Sequence, residues 1–219
     1  MIEVFKMDIR TENKINLKAW LEALGMKEIP DEKIMSEIRK VEQMIISAVS
    51  PKAIYRIMEP SELRLEGKSI KRHLSGCQKI VVMGATLGAG ADHLIRRLQI
   101  TDMTEAVIAD CGASVLIEQV CDAFQKTIND AVDGYTTSRF SPGYGDFPIE
   151  VQPDMIRYID GQRKIGLNVT SNNLLVPRKS VTAVIGVSDR PVRGSLATCA
   201  ECVLRDKCDL RKEGKFCGD

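Results

Sequence analysis

Residues 79–100 read K-I-V-V-M-G-A-T-L-G-A-G-A-D-H-L-I-R-R-L-Q-I, and the break in the middle decides the fold class. A β-branched run that stops in glycine predicts a buried strand and its turn. Ala91–Ile100 then predict a helix, and a longer one follows from about Asp102 to Ala131, with Ala106, Ala113, Ile117, Val120, Phe124 and Ile128 as its apolar stripe. Working outward, Ile2–Lys6 and Ala53–Met58 read as strands and Ser69–Leu74 as a short helix. Between those strands, Pro30 and Asp31 open a helix whose face carries Ile34, Ile38, Val41, Ile45 and Val49, and which ends before Pro51. Downstream, residues 153–166 predict a proline-started helix ending near Gly161. Residues 167–170 and 174–177 and the run 180–188 read as strands, the last alternating Val181, Ala183, Ile185 and Val187 with smaller or polar residues. Helices and strands mix without strict βαβ alternation, so the expected class is α+β, a mixed or antiparallel sheet with long helices packed on it.

The chain of 219 residues is long enough to bury a sizeable core. Its 31 basic and 30 acidic side chains leave a net charge of +1, so no global field recruits nucleic acid or an anionic membrane. The first residues are charged where a signal peptide would be apolar, and the apolar runs are too short to span a bilayer. These features predict a cytoplasmic protein with neither a nucleic-acid nor a membrane partner. In that reducing setting the seven cysteines are expected as thiols or metal ligands, not disulfides.

Three places could carry chemistry. Gly84, Gly88 and Gly90 lie between a strand and a helix, the context of a phosphate site. Their spacing is neither G-x-G-x-x-G nor a P-loop, and a tight strand-to-helix turn needs glycine in any case, so the structural role is the stronger reading. His73 and His93 lack a clear partner and read as surface or satisfied core histidines, while Cys111 and Cys121 read as buried thiols. Asp92, at a helix start, reads as a cap or as a charge meeting the dipole.

The second place is residues 138–148, S-R-F-S-P-G-Y-G-D-F-P, a stretch too rich in proline, glycine and aromatics for a plain turn. Arg139 offers a planar fork for a carboxylate. Pro142 stiffens the loop, Gly143 and Gly145 allow close approach of main chain to a ligand, and Tyr144 can face a cation or a flat base. Glu118, at the border of the long helix's apolar stripe, can hold a cation, although a solvated flank is the plainer reading. Such a set fits S-adenosylmethionine and other zwitterions alike.

The third place is the tail, where Cys199, Cys202, Cys208 and Cys217 are spaced C-x2-C-x5-C-x8-C. Four thiolates suit zinc or an iron–sulfur cluster; the alternatives are a redox thiol pair or a tail without a site.

Together, residues 138–148 and the run L-L-V-P-R-K-S-V-T-A-V-I-G-V at 174–187 resemble the activation domain of cobalamin-dependent methionine synthase. The family's R-x-x-P-G-Y-x-x-x-P segment matches Arg139, Pro142, Gly143, Tyr144 and Pro148, and its strand-leading segment matches Thr170, Pro177, Ser180 and Val181. Glu118 stands near the family's acidic position, and the resemblance runs from about Lys68 to Ser188. It implies residues 1–67 as an extension packed on the core, 68–197 as the activation-domain-like core and 198–219 as the cysteine-rich tail. It also implies S-adenosylmethionine as ligand and a methionine synthase core acting in trans that carries the cobalamin. A flavodoxin- or ferredoxin-type donor would supply electrons. The resemblance thus implies a component of methionine synthase (methyltransferase) activity that supports reductive methylation of cob(II)alamin. The other readings are a noncatalytic corrinoid-protein partner or chaperone, and a small metal-binding interaction protein that uses only the tail.

Overall fold

The computed structural model describes residues 2–6 and 15–192. The four tail cysteines therefore lie outside the described residues.

Five strands form one antiparallel sheet in the order β1-β2-β3-β7-β4: β1 (Ile2–Lys6), β2 (Lys52–Met58), β3 (Lys79–Thr86), β7 (Ser180–Ser188) and β4 (Tyr135–Thr136). The antiparallel alternative is thus the one the chain adopts. β3 and β7 pair over their whole length, from Lys79 opposite Val187 to Thr86 opposite Ser180. Residues before Lys68 contribute two strands to the same sheet.

Because side chains alternate along a strand, the sheet splits its residues between two cores. Ala53, Tyr55, Val81, Met83, Ala85, Ala183, Ile185 and Val187 face one layer. Ile54, Met58, Ile80, Val82 and Val184 face the other. The residues that alternate with Ala183 and Ile185 are covered as well, Thr182 and Val184 being as buried as they are, so the middle of β7 is buried on both faces. Full burial of each large aliphatic side chain is worth about 1.5–3 kcal/mol.

The first layer is made of α1 (Leu17–Ala23), α2 (Glu32–Ala48), α4 (Ala89–Thr101) and α5 (Met103–Ala131). Side-chain caps start α2 and α5. The Asp31 carboxylate accepts from Ile34 N at 3.0 Å, and Asp102 accepts from Glu105 N at 3.0 Å. Asp102 is extended, so it both ends α4 and caps α5. α1 is held against α5 by Trp20, whose Nε1 donates to Ile108 O at 3.0 Å. Its ring fills the space left by Gly112, where an added Cβ would lie 2.5 Å from it.

The second layer is irregular. It holds α3 (Lys68–His73), the loop 138–148, α6 (Gln152–Tyr158), α7 (Gly161–Ile165) and a hairpin of β5 (Asn168–Val169) and β6 (Leu175–Val176). The proline-started helix expected to end near Gly161 is α6, which stops at Tyr158, and a second short helix, α7, follows it. Asp160 adopts φ 53, a left-handed conformation that stops α6 and lets α7 start at Gly161.

Candidate functional site

The loop 138–148 leaves the sheet edge beside β7. Thr137 N donates to Gly186 O at 3.0 Å, and Phe140 and Val184 exchange backbone hydrogen bonds at 2.9 Å. Extended backbone sends neighbouring side chains to opposite faces. Phe140 enters the second core, and Arg139 turns to the other side and reaches α5.

There the guanidinium meets three side chains. Nη2 donates to Asp122 Oδ1 at 2.8 Å and to Glu118 Oε2 at 3.3 Å, and Nη1 donates to Gln125 Oε1 at 3.0 Å. Gln125 Nε2 also donates to Thr137 O at 3.2 Å, tying the cluster to the loop's base. The Arg139 side chain is only 20% exposed, whereas those of Glu118 and Asp122 are 61% and 65% exposed. Burial works against the charge of Arg139, but the Asp122 hydrogen bond and the two carboxylates outweigh it and raise its pKa. Neighbouring Cys121 is pushed up to about 12, chiefly by burial and then by the Glu118 charge, so it is an inert thiol at neutral pH.

The two ion-pairing residues singled out by sequence, Arg139 and Glu118, thus meet. Asp122 and Gln125 were missed, although Glu118, Asp122 and Gln125 follow the i, i+4, i+7 spacing of one helix face. The arrangement puts a cation between two exposed carboxylates. A guanidinium is the group that pairs with a carboxylate, and an exposed carboxylate the group that pairs with an ammonium.

The remaining singled-out residues form the tip of the loop. Pro142 is buried, Gly143 and Tyr144 are exposed, and Gly143 has φ 90. Tyr144 N donates to Ser141 O at 3.2 Å, Phe147 N to Tyr144 O at 3.0 Å, and Gly143 N to Phe147 O at 2.8 Å. Behind the tip, the Asp146 carboxylate accepts from Lys68 N at 2.6 Å and from Ser69 N at 2.8 Å. The Ser69 amide above all, with the Lys68 amide, holds Asp146 below the usual carboxylate range against the opposing effect of burial.

The other candidates are structural. Gly90 lies against the end of α2, where an added Cβ would fall 1.8 Å from Ala48 O. Gly84 is covered by Ile159 and Leu167. Asp92 is buried and accepts from Arg178 N at 2.9 Å, joining α4 to the segment before β7; the cap position of α4 is Gly88, not Asp92. His73 is buried with Nε2 2.9 Å from Ser138 O, a satisfied core histidine, and His93 is exposed. Cys111 is only half buried, and its Sγ donates to Ala23 O at 3.5 Å. Lys179 ion-pairs with Asp110 and donates to Ser114 Oγ at 2.8 Å, anchoring β7 to α5. Among the described residues there is no cluster of three or more potential metal ligands, and no helix is long and apolar enough to cross a membrane.

No protein-family model matches the chain, and no curated protein matches it in sequence. Among solved structures it is similar to the crystal structure of the MetH reactivation domain bound to AdoHcy. That match has a TM-score of 0.65 and 14% identity, covering 98% of this chain and 86% of the other. With its antiparallel sheet, long α5 and edge loop, this chain has the fold of a MetH reactivation domain.

Proposed function

We propose that this chain binds S-adenosylmethionine and reactivates, in trans, a corrinoid-dependent methionine synthase. The observation that carries the reading is the likeness of the whole fold to a reactivation domain bound to AdoHcy, which is S-adenosylmethionine less its methyl group. Within that fold, Arg139 would take the ligand's carboxylate and Glu118 its ammonium group, the two side chains being 3.3 Å apart before any ligand enters. Pro142 and Gly143 would shape the main chain beside the ligand, and the exposed Tyr144 ring would cover the adenine or the sulfonium. The cobalamin, carried by the partner, would supply the reduced metal that accepts the methyl group. A donor of the flavodoxin or ferredoxin type would supply the electron. This chain binds and orients the methyl donor and needs no general acid or base. The cysteines at 199, 202, 208 and 217 would offer four thiolates to zinc or an iron–sulfur cluster.

Calorimetry tests the ligand. Wild-type protein should bind S-adenosylmethionine, and Arg139→Ala should weaken it by about 1.5–3 kcal/mol, the worth of a charged hydrogen bond. Partner activity is tested by mixing a cob(II)alamin-loaded methionine synthase core, an electron donor, S-adenosylmethionine and this protein, and following methylcobalamin by absorbance. Equal conversion without this protein rejects the function.

A second reading, a noncatalytic corrinoid-protein partner, is favoured by one observation. Arg139 already donates to three side chains of α5. Absence of S-adenosylmethionine binding, with or without the core, would select it.

A further inference from the structure

The loop 138–148 has two ends, and they are held by different means. At the first end Phe140 is locked into the sheet by its paired hydrogen bonds with Val184. At the second end the chain has left the sheet, and what fastens it is the Asp146 carboxylate on the amides of Lys68 and Ser69. The two oxygens divide the work: Oδ2 takes Lys68 N and Oδ1 takes Ser69 N. The contact is fitted from the other side as well. Gly67 has φ 110, and a Cβ there would lie 2.5 Å from Asp146 O and 2.8 Å from Oδ1. Only glycine lets the start of α3 come this close. Between the anchors, Gly143 and Phe147 close the tip with a 2.8 Å hydrogen bond, and Phe147 is buried in the second core.

We propose that Asp146, seated on Gly67–Ser69, is a positioning residue that sets the Gly143–Tyr144 tip for the ligand. It does not touch the ligand itself; it fixes the far end of a loop whose near end carries Arg139. A carboxylate is required because two amides must be accepted at once by two oxygens, and both hydrogen bonds are charge-assisted. An amide side chain has only one accepting oxygen and can satisfy one of them. The role rests on the ligand reading above, but the order of the loop can be measured without ligand.

The experiment compares wild type with Asp146→Ala, Asp146→Asn and Gly67→Ala in two measurements. Amide hydrogen exchange over 141–147 reports the loop, and calorimetric titration with S-adenosylmethionine reports the site. Asp146→Ala should raise exchange at Tyr144 and Phe147 and weaken S-adenosylmethionine by about tenfold, as expected for a lost charged hydrogen bond. Exchange in β3 and α5 should stay as in wild type. Asp146→Asn should fall between the two, and the double variant with Gly67→Ala should be no worse than the more severe single variant, since both break one contact. Unchanged loop exchange in Asp146→Ala overturns the proposal. So does exchange that rises uniformly through β3 and α5, which would make Asp146 a general stabiliser. If Asp146→Ala does not fold, the same comparison is decided by Asp146→Asn. If wild type binds no S-adenosylmethionine, the ligand reading fails, and the exchange measurement alone still upholds or rejects Asp146 as the residue that orders the tip.

Discussion

The chain has two glycine-rich turns that look alike on paper and differ in space. In the turn from β3 to α4, an added Cβ at Gly90 would fall 1.8 Å from Ala48 O, so protein backbone occupies the room that glycine leaves, whereas one at Gly88 would meet Ser50 O at an ordinary 3.5 Å. In the loop beside α5, the nearest atom to an added Cβ at Gly143 is the end of the Ile149 side chain at 3.5 Å, and the residue is exposed. Gly90 serves the packing of α4 against the end of α2 within one layer. Gly143 serves a backbone shape on an open surface. Glycine content alone does not mark a ligand site; what fills the missing Cβ's place does.

The comparison breaks most sharply at Gly90. Gly90→Ala forces the end of α2 away from α4 and should cost about 3 kcal/mol or prevent folding, at the upper end of overpacking effects. Denaturant unfolding measures it, and an unchanged midpoint would place both turns in the same class. Gly88→Ala and Gly143→Ala sharpen the contrast, because both glycines have similar φ, 83 and 90. Each should lose about 1–3 kcal/mol of stability because alanine is strained at positive φ, the more so at Gly88, whose ψ of 166 lies in a region open essentially to glycine alone. Only Gly143→Ala should also weaken S-adenosylmethionine in calorimetry. Equal effects on ligand binding would remove the distinction.

The smallest effect is one of pH. The folded pKa of Asp146 lies below its unfolded value of about 3.9. Its contribution is therefore fully present above that value and is lost as pH falls through the folded pKa. Between pH 5 and 3 the wild type should lose more stability than Asp146→Asn, in urea titrations at each pH. Parallel curves would mean that the second turn does not depend on its charge.

The sequence reveals the parts of this fold that rest on periodicity. The spacing of Ile34, Ile38, Val41 and Ile45 and the cap residues Asp31 and Asp102 place α2 and α5 to within a residue or two of their observed ends. β3 and β7 are equally plain as β-branched runs. The second layer is not legible in that way, because its elements are short and held by contacts between distant residues. The left-handed Asp160 that divides α6 from α7 gives no periodic signal. Nor does β4, two residues long and defined only by its place beside β7. At the site, Arg139 and Glu118 are visible as residue types, but Asp122 and Gln125 read as solvated helix surface until Arg139 arrives. Asp146 meets Lys68 and Ser69 from 78 and 77 residues away in the chain, a pairing that no local pattern records.

Trp20 gives the molecule an optical handle. It is the sole tryptophan of the chain, 1% exposed, with its indole N–H bound to a carbonyl in α5 and its ring on Gly112. Excitation at the red edge of the absorption band therefore probes one known place, on the helix that also carries Glu118, Asp122 and Gln125. Its emission should lie toward the blue in the native state and move red when α1 leaves α5. The loop beside Arg139 contains no indole, so ligand-driven rearrangement there should leave that emission colour unchanged. Intrinsic fluorescence can follow detachment of the helical layer without a label, silent to what happens at the tip.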